Sequence, residues 1–314
     1  MSKQRKLSYL FSILWVAILF AAIMGAVATG VINSYYSGIL VLIGINIILA
    51  VSLNLVTGFL GQLVLGHAGF MSVGAYSAAL FTMHAGLPIS VAFPLGLIFG
   101  GLVAAIFGVI IGVPALRLRG DYLAIITLGF GEIIRVLVLA VDFTGGAAGL
   151  TGIPYIEGKY TLIIYTFFIA FLTVVAILAF IRSRHGRAVI AIREDEIAAE
   201  ASGINTTYYK LLAFVVAAFF AGVAGGIYAH YIGVLDPSKF DFNYSVEILI
   251  MVVLGGMGSI TGSVCSATVL TLLPEMLRSF ADKRMLIYSL VLIIVMLFKP
   301  TGLLGTREFS VRKI

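Results

Sequence analysis

"GQLVLGHAGFMSVGAYSA", residues 61–78, lies inside a long uncharged stretch, and its reading decides the fold. Four glycines, Gly61, Gly66, Gly69 and Gly74, and two strong hydrogen-bonding side chains, Gln62 and His67, interrupt an otherwise apolar run. No Asp, Glu, Lys or Arg occurs between Lys6 and Arg117. At a rise of about 1.5 Å per residue, those 110 residues make roughly 165 Å of helix. A bilayer hydrocarbon core is about 30 Å thick. The run therefore crosses a membrane several times, most simply four.

Composition agrees. The 314 residues are 61% hydrophobic and 11% charged, whereas a soluble domain carries about a quarter charged residues. Such a chain cannot cover a water-facing surface, so lipid is its solvent. The lone Cys265 excludes an intrachain disulfide and a cysteine metal cluster. The formal net charge of +6 fits the positive-inside bias of membrane proteins and gives no reason to invoke nucleic acid. "MSKQRK" leads into an apolar run, Leu7 to Ile32, whose 26 residues exceed the roughly 7–15 of a signal-peptide core. It reads as a first spanning helix.

Backbone groups in lipid must bond internally, so every spanning run is a predicted helix. The expected helices cover 7–32, 36–57, 61–83, 88–116, 121–142, 160–181 and 209–232, then 248–274 with "LGGMGSITG" inside it, and 285–298. The fold class is all-α, a polytopic membrane protein forming one domain over 1–314. If "GGMGSITG" divides its segment there are ten crossings with both termini inside; otherwise there are nine. Ten crossings put 14 Lys and Arg inside and 5 outside, with Arg135 in a helix; nine give 13 and 6. Charge bias hardly separates these counts. Four glycines within 255–262 would each cost a helix interior about 0.8–1.0 kcal/mol relative to Ala, which favours the division and about ten helices, including glycine-interrupted segments.

Paired interrupted segments in the two halves of a membrane chain point to a transport site. The expected translocation path therefore includes Gln62, His67 and Gly69 from the first interruption and Gly255, Gly256 and Gly258 from the second. Close helix packing is the plainer reading of the glycines, and a structural hydrogen bond is the plainer reading of His67. Glu132 and Arg135, in "LGFGEIIRVLVLA", stand three residues apart on one helix face. Charge at membrane depth is costly, so a structural ion pair is favoured, with Glu132 kept as a candidate in the path.

The longest polar stretch, "RSRHGRAVIAIREDEIAAEASGINTTYYK", carries Arg182, Arg184, Arg187 and Arg193, which place it inside. It predicts a short helix with Glu194, Asp195 and Glu196 near its N-terminus and a stop at Gly203-Ile204-Asn205. At roughly 26 residues it exceeds an ordinary connection, and its small residues suit docking against a partner.

"LNLVTGFLGQLVLGHAGFMSVGAY", "LRLRGDYLAIITLGFGEIIR", "VLGGMGSITG" and "FKPTGLLG", together and in this order, resemble a LivM-type permease, the membrane subunit of branched-chain amino-acid ABC importers. The resemblance implies transport of leucine, isoleucine or valine across the bacterial cytoplasmic (inner) membrane. It implies four kinds of partner: a second permease subunit, two ATP-binding subunits, an extracytoplasmic substrate-binding protein and the small-molecule substrate. Residues 142–159 and 233–245 are the candidate docking loops for the binding protein. The polar stretch is similar to the ATPase-coupling motif of ABC permeases, with Glu196, Ala198, Ala199, Glu200 and Gly203 in the corresponding tract and Ile197 as an insertion. Related permeases carry urea or other small amides, and that substrate class stays open.

The chain itself is expected to bind no cofactor, with ATP and Mg in the partner ATPases. Its nearest phosphate-loop lookalike has five residues between Gly152 and Gly158, and Tyr160 where Ser or Thr is needed. An ion-driven carrier would need an ion site, for which Glu132 and Glu247 are isolated candidates. A membrane enzyme would need a clustered nucleophile, metal ligands or an acid–base pair, and no such motif is present.

Overall fold

The computed structural model describes residues 34–118, 120–156, 160–278, 283–299, 302–303 and 305. The expected helix over 7–32 lies outside them. Among the described residues the helices are α1 (Ser34–Asn54), α2 (His67–His84), α3 (Ile89–Ala115), α4 (Asp121–Ala140), α5 (Thr161–Arg182), α6 (Arg184–Glu194), α7 (Glu196–Ala201), α8 (Thr206–Ile232), α9 (Phe242–Gly255), α10 (Ile260–Met276) and α11 (Arg284–Phe298). α1 runs on through a π-helical turn, Leu55–Phe59. Among the described residues five helices are long and apolar enough to cross a bilayer: α1 with its turn, α3, α4, α5 and α8. α9 and α10, with 14 and 17 residues, are shorter apolar helices.

α1 lies at the centre, buried along most of its length, whereas α4 and α5 are peripheral. α5, α8, α9 and α10 pack against α1, and α2, α3 and α8 pack against one another at distances that only missing side chains allow. A Cβ on Gly74 would overlap the backbone of Gly222, and one on Gly100 would lie 2.6 Å from Gly74 O. A Cβ on Gly225 would strike Met71 O. Lipid supplies no hydrophobic drive between helices, so van der Waals contact at such close crossings holds the bundle together.

The main departure from the sequence reading concerns 61–83. Residues 61–66 are not helical; α2 begins at His67. Gly61 adopts φ +76°, which stops the preceding turn. Three of the freed donors find partners: Gln62 N–H bonds to Val56 O at 3.0 Å, Leu65 N–H to Thr127 Oγ1 at 3.1 Å and Ala68 N–H to Ser245 Oγ at 3.1 Å. Side chains of α4 and α9 thus stand in for the missing helical acceptors, the condition under which irregular backbone survives at membrane depth. At the second site the chain divides as expected. α9 stops at Gly255, Gly256 and Gly258 take φ +113° and +90°, and Ser259 caps α10 by accepting from Gly262 N–H.

Both breaks lie at one end of the bundle, which also carries α6, α7 and Leu303, whose N–H donates to Leu254 O at 2.7 Å. The opposite end carries the Leu150–Leu235 bridge and the Tyr35–Glu275 hydrogen bond.

Candidate functional site

The two interruptions meet across one side chain. Asn54, fully buried at the end of α1, donates through Nδ2 to Ser259 O at 2.9 Å and Ser263 Oγ at 2.8 Å. Its Oδ1 accepts from Gly258 N–H at 2.9 Å. One amide at the end of α1 therefore satisfies two backbone groups within the second break and a hydroxyl of α10. Around it the backbones close up: a Cβ on Gly58 would strike Gly258 N, and one on Gly255 would lie 2.7 Å from Ser266 Oγ. Gly256 packs in the same way against the C-terminal segment, since a Cβ on Gly302 would lie 2.6 Å from Gly256 Cα. Gly255, Gly256 and Gly258 are thus spent on backbone-to-backbone contact. Gln62, half-buried, lies on the non-helical stretch beside this junction.

A second cluster forms where α2 and α9 begin. A narrow crevice is lined by Gly69, Gly131, Glu132, Asp241 and Ser245, among others. Glu132 Oε2 accepts from Arg135 Nε at 2.7 Å, and Oε1 accepts from Phe242 N–H at 3.1 Å, at the N-terminus of α9. The carboxylate joins an ion pair within α4 to a helix start that favours negative charge. Both side chains stay partly exposed, 32% for Glu132 and 28% for Arg135. His67, buried just below, has Nε2 2.9 Å from Ser52 Oγ. The Ser52 hydroxyl donates to Leu49 O, so the geometry fits an imidazole N–H donating to Ser52, a structural bond between α2 and α1. The structure therefore brings Gly69 and Glu132 together, seats His67 in the core, and gathers the remaining path candidates at the junction.

In the polar loop the expected single helix is two. Ser183 caps α6, and Asp195 caps α7 by accepting from Ile197 and Ala198 N–H at 2.9 and 3.0 Å. Glu194 therefore closes α6 and does not open α7. At the far end Gly203 takes φ +82°, with Gly203 N–H donating to Glu200 O and Ile204 N–H to Ala199 O; this paired closure is a Schellman stop. Asn205 belongs to the next element, capping α8 through Tyr208 N–H. Glu196 Oε2 holds the buried Lys210 of α8 at 2.7 Å, Ala199 is buried, and Ala198, Glu200 and Gly203 are exposed. Ile197, the apparent insertion, is 72% exposed, an apolar side chain offered outward. In the loop before α9, hydrogen bonds from Ser238 Oγ and Ser238 N–H hold the Asp236 carboxyl below its ordinary range.

Sequence reasoning missed Asn54, Thr127 and Ser245. Their polar type in apolar runs was the available signal, since polar side chains in lipid need partners; which partners was not written in the pattern.

The family model for the permease component of the branched-chain amino acid transport system matches residues 35–299, both interruptions included. This chain belongs to that permease family. It is 39% identical over 291 residues to the high-affinity branched-chain amino acid permease protein LivM of Salmonella typhimurium, covering 83% of this permease and 68% of that one. The Escherichia coli K12 LivM is 38% identical over the same shares. The LivH permease of Escherichia coli K12 is 35% identical over 143 residues, 45% of this permease and 46% of its relative. No solved structure matches.

Proposed function

We propose that this chain is a translocation subunit of an ATP-driven importer of branched-chain amino acids in a bacterial cytoplasmic membrane. The carrying observation is the family match across both interruptions, joined to 38–39% identity with two LivM permeases over 83% of this chain and 68% of theirs. Its partners are a second permease subunit of the LivH kind, two ATP-binding subunits that hold ATP and Mg, and an extracytoplasmic binding protein.

The geometry supports a division of labour. The crevice at Gly69, Glu132 and Ser245 adjoins the sparsely covered α4, where the partly exposed Glu132–Arg135 pair is ill suited to lipid and well suited to a pathway or partner wall. A mostly apolar route with few fixed charges suits a zwitterion with an aliphatic side chain. The junction at Asn54, Gln62 and Gly258 acts as an inner gate, and α7, with Ile197 outward and Glu196 tied to Lys210, is the surface on which an ATPase acts. Ten crossings with cytoplasmic termini follow if α9 and α10 each cross and 7–32 adds the first. The Leu303–Leu254 bond, at the end that carries α6 and α7, supports that sidedness.

Reconstitution tests the reading. Vesicles holding the complete complex should accumulate leucine, isoleucine or valine only with ATP and binding protein. Accumulation by this chain alone under an ion gradient, or uptake of urea in preference to these amino acids, would refute it.

A further inference from the structure

Arg193 is the last basic residue of α6, and its side chain reaches both helix interruptions. A Cβ on Gly61 would lie 3.0 Å from Arg193 Cγ and 3.6 Å from its Cβ. A Cβ on Gly258 would lie 2.8 Å from Arg193 Nη1 and 3.6 Å from Gly58 O. One side chain therefore lies with its stem on the first break and its guanidinium on the second. Among the described residues no carboxylate pairs with it. Two helical segments, the π turn and α9, end at this place, and the partial negative charge of helix C-termini favours a cation there.

We infer that Arg193 is the positioning residue that ties α6–α7 to both broken segments, so that displacement of this helix pair moves the two interruptions together. The inference rests on the proposed coupling role of α7. The connection is short: Asp195, which caps α7, is two residues beyond Arg193, and Glu196 pins the same helix to α8. Non-helical backbone at 60–66 and 256–259 is where φ and ψ change most readily, and such segments serve as hinges. Every glycine at the contact lacks a side chain that would hold the guanidinium away. Coupling between distant sites needs a two-state element that both sites bias, and this junction joins the nucleotide-side loop to the gate through a single charged group.

The test uses the full complex in vesicles and reads amino-acid uptake per ATP hydrolysed, alongside assembled yield and basal hydrolysis. Arg193→Gln should lower uptake per ATP at least tenfold, with yield and basal hydrolysis within about twofold of wild type. Arg193→Lys, which keeps the charge, should stay within about threefold. An unchanged ratio in Arg193→Gln overturns the inference. So does an equal loss in both variants, or failure of Arg193→Gln to assemble, because each marks a merely structural side chain. Failure of the wild-type complex to take up these amino acids is a separate outcome: it removes the proposed function, and this inference with it.

Discussion

Single side chains in this permease matter where they finish hydrogen bonds that the backbone cannot. Asn54 makes three such bonds at 0% exposure. Truncation in Asn54→Ala strands Gly258 N–H and Ser259 O, and an unsatisfied buried group costs about 1–3 kcal/mol. Membrane hydrogen bonds average nearer 0.6 kcal/mol because the unfolded chain also finds partners. A loss of about 1–3 kcal/mol is therefore expected, measured as a lower midpoint of thermal aggregation in detergent. Asn54→Asp should do no better, since it lacks the two donated bonds. Glu132→Gln retains an acceptor for Phe242 N–H but leaves Arg135 without its counter-charge. Assembly and transport should fall together, as followed by complex yield and vesicle uptake; normal assembly with altered substrate preference would contradict a structural ion pair.

The elements depend on where side chains are absent. Gly74 of α2 faces Gly222 of α8 with no room for a methyl group. Gly74→Leu forces the two helices apart, and overpacking typically costs 1–3 kcal/mol, so the yield of monodisperse protein on gel filtration should collapse. Gly129 in α4 has open space around it, and Gly129→Ala should be silent or stabilising by up to about 1 kcal/mol through helix propensity. Together the two separate packing from propensity. Gly203 also has open space, but its φ of +82° makes any bulky replacement strained. Gly203→Val should unseat the end of α7, cutting uptake and substrate-stimulated ATP hydrolysis while binding-protein affinity stays constant.

Across the whole molecule, both breaks, α6, α7 and the C-terminal segment share one end, and the Leu150–Leu235 bridge marks the other. With Cys265→Ser as background, Arg187→Cys should react with an impermeant maleimide only from the cytoplasmic side, and Ser238→Cys only from the opposite side. Labelling of both from one side would break the proposed topology. The sequence made the membrane class legible because it rests on composition and on the length of uncharged runs, which need no knowledge of neighbours. Helix limits at 89–115 and 206–232 followed within a few residues for the same reason, with Pro88 a local start signal; Asn205, expected to end the preceding helix, instead caps α8. The non-helical stretch at 61–66 was not legible. Its stability depends on Thr127 and Ser245, far along the chain, and periodicity cannot reveal acceptors supplied by other helices.

By itself, then, the sequence determined that this chain lives in lipid, is built of helices, breaks near two glycine clusters and carries a long polar loop; charge, hydropathy and turn chemistry are local quantities. Only the tertiary structure decided that Asn54 joins the two breaks, that His67 is a core bond to Ser52, that Glu132 reaches the start of α9, and that Arg193 touches both interruptions. Those are contacts between residues up to about two hundred positions apart, and they exist because glycine at the crossings lets backbones approach until one short side chain can span them.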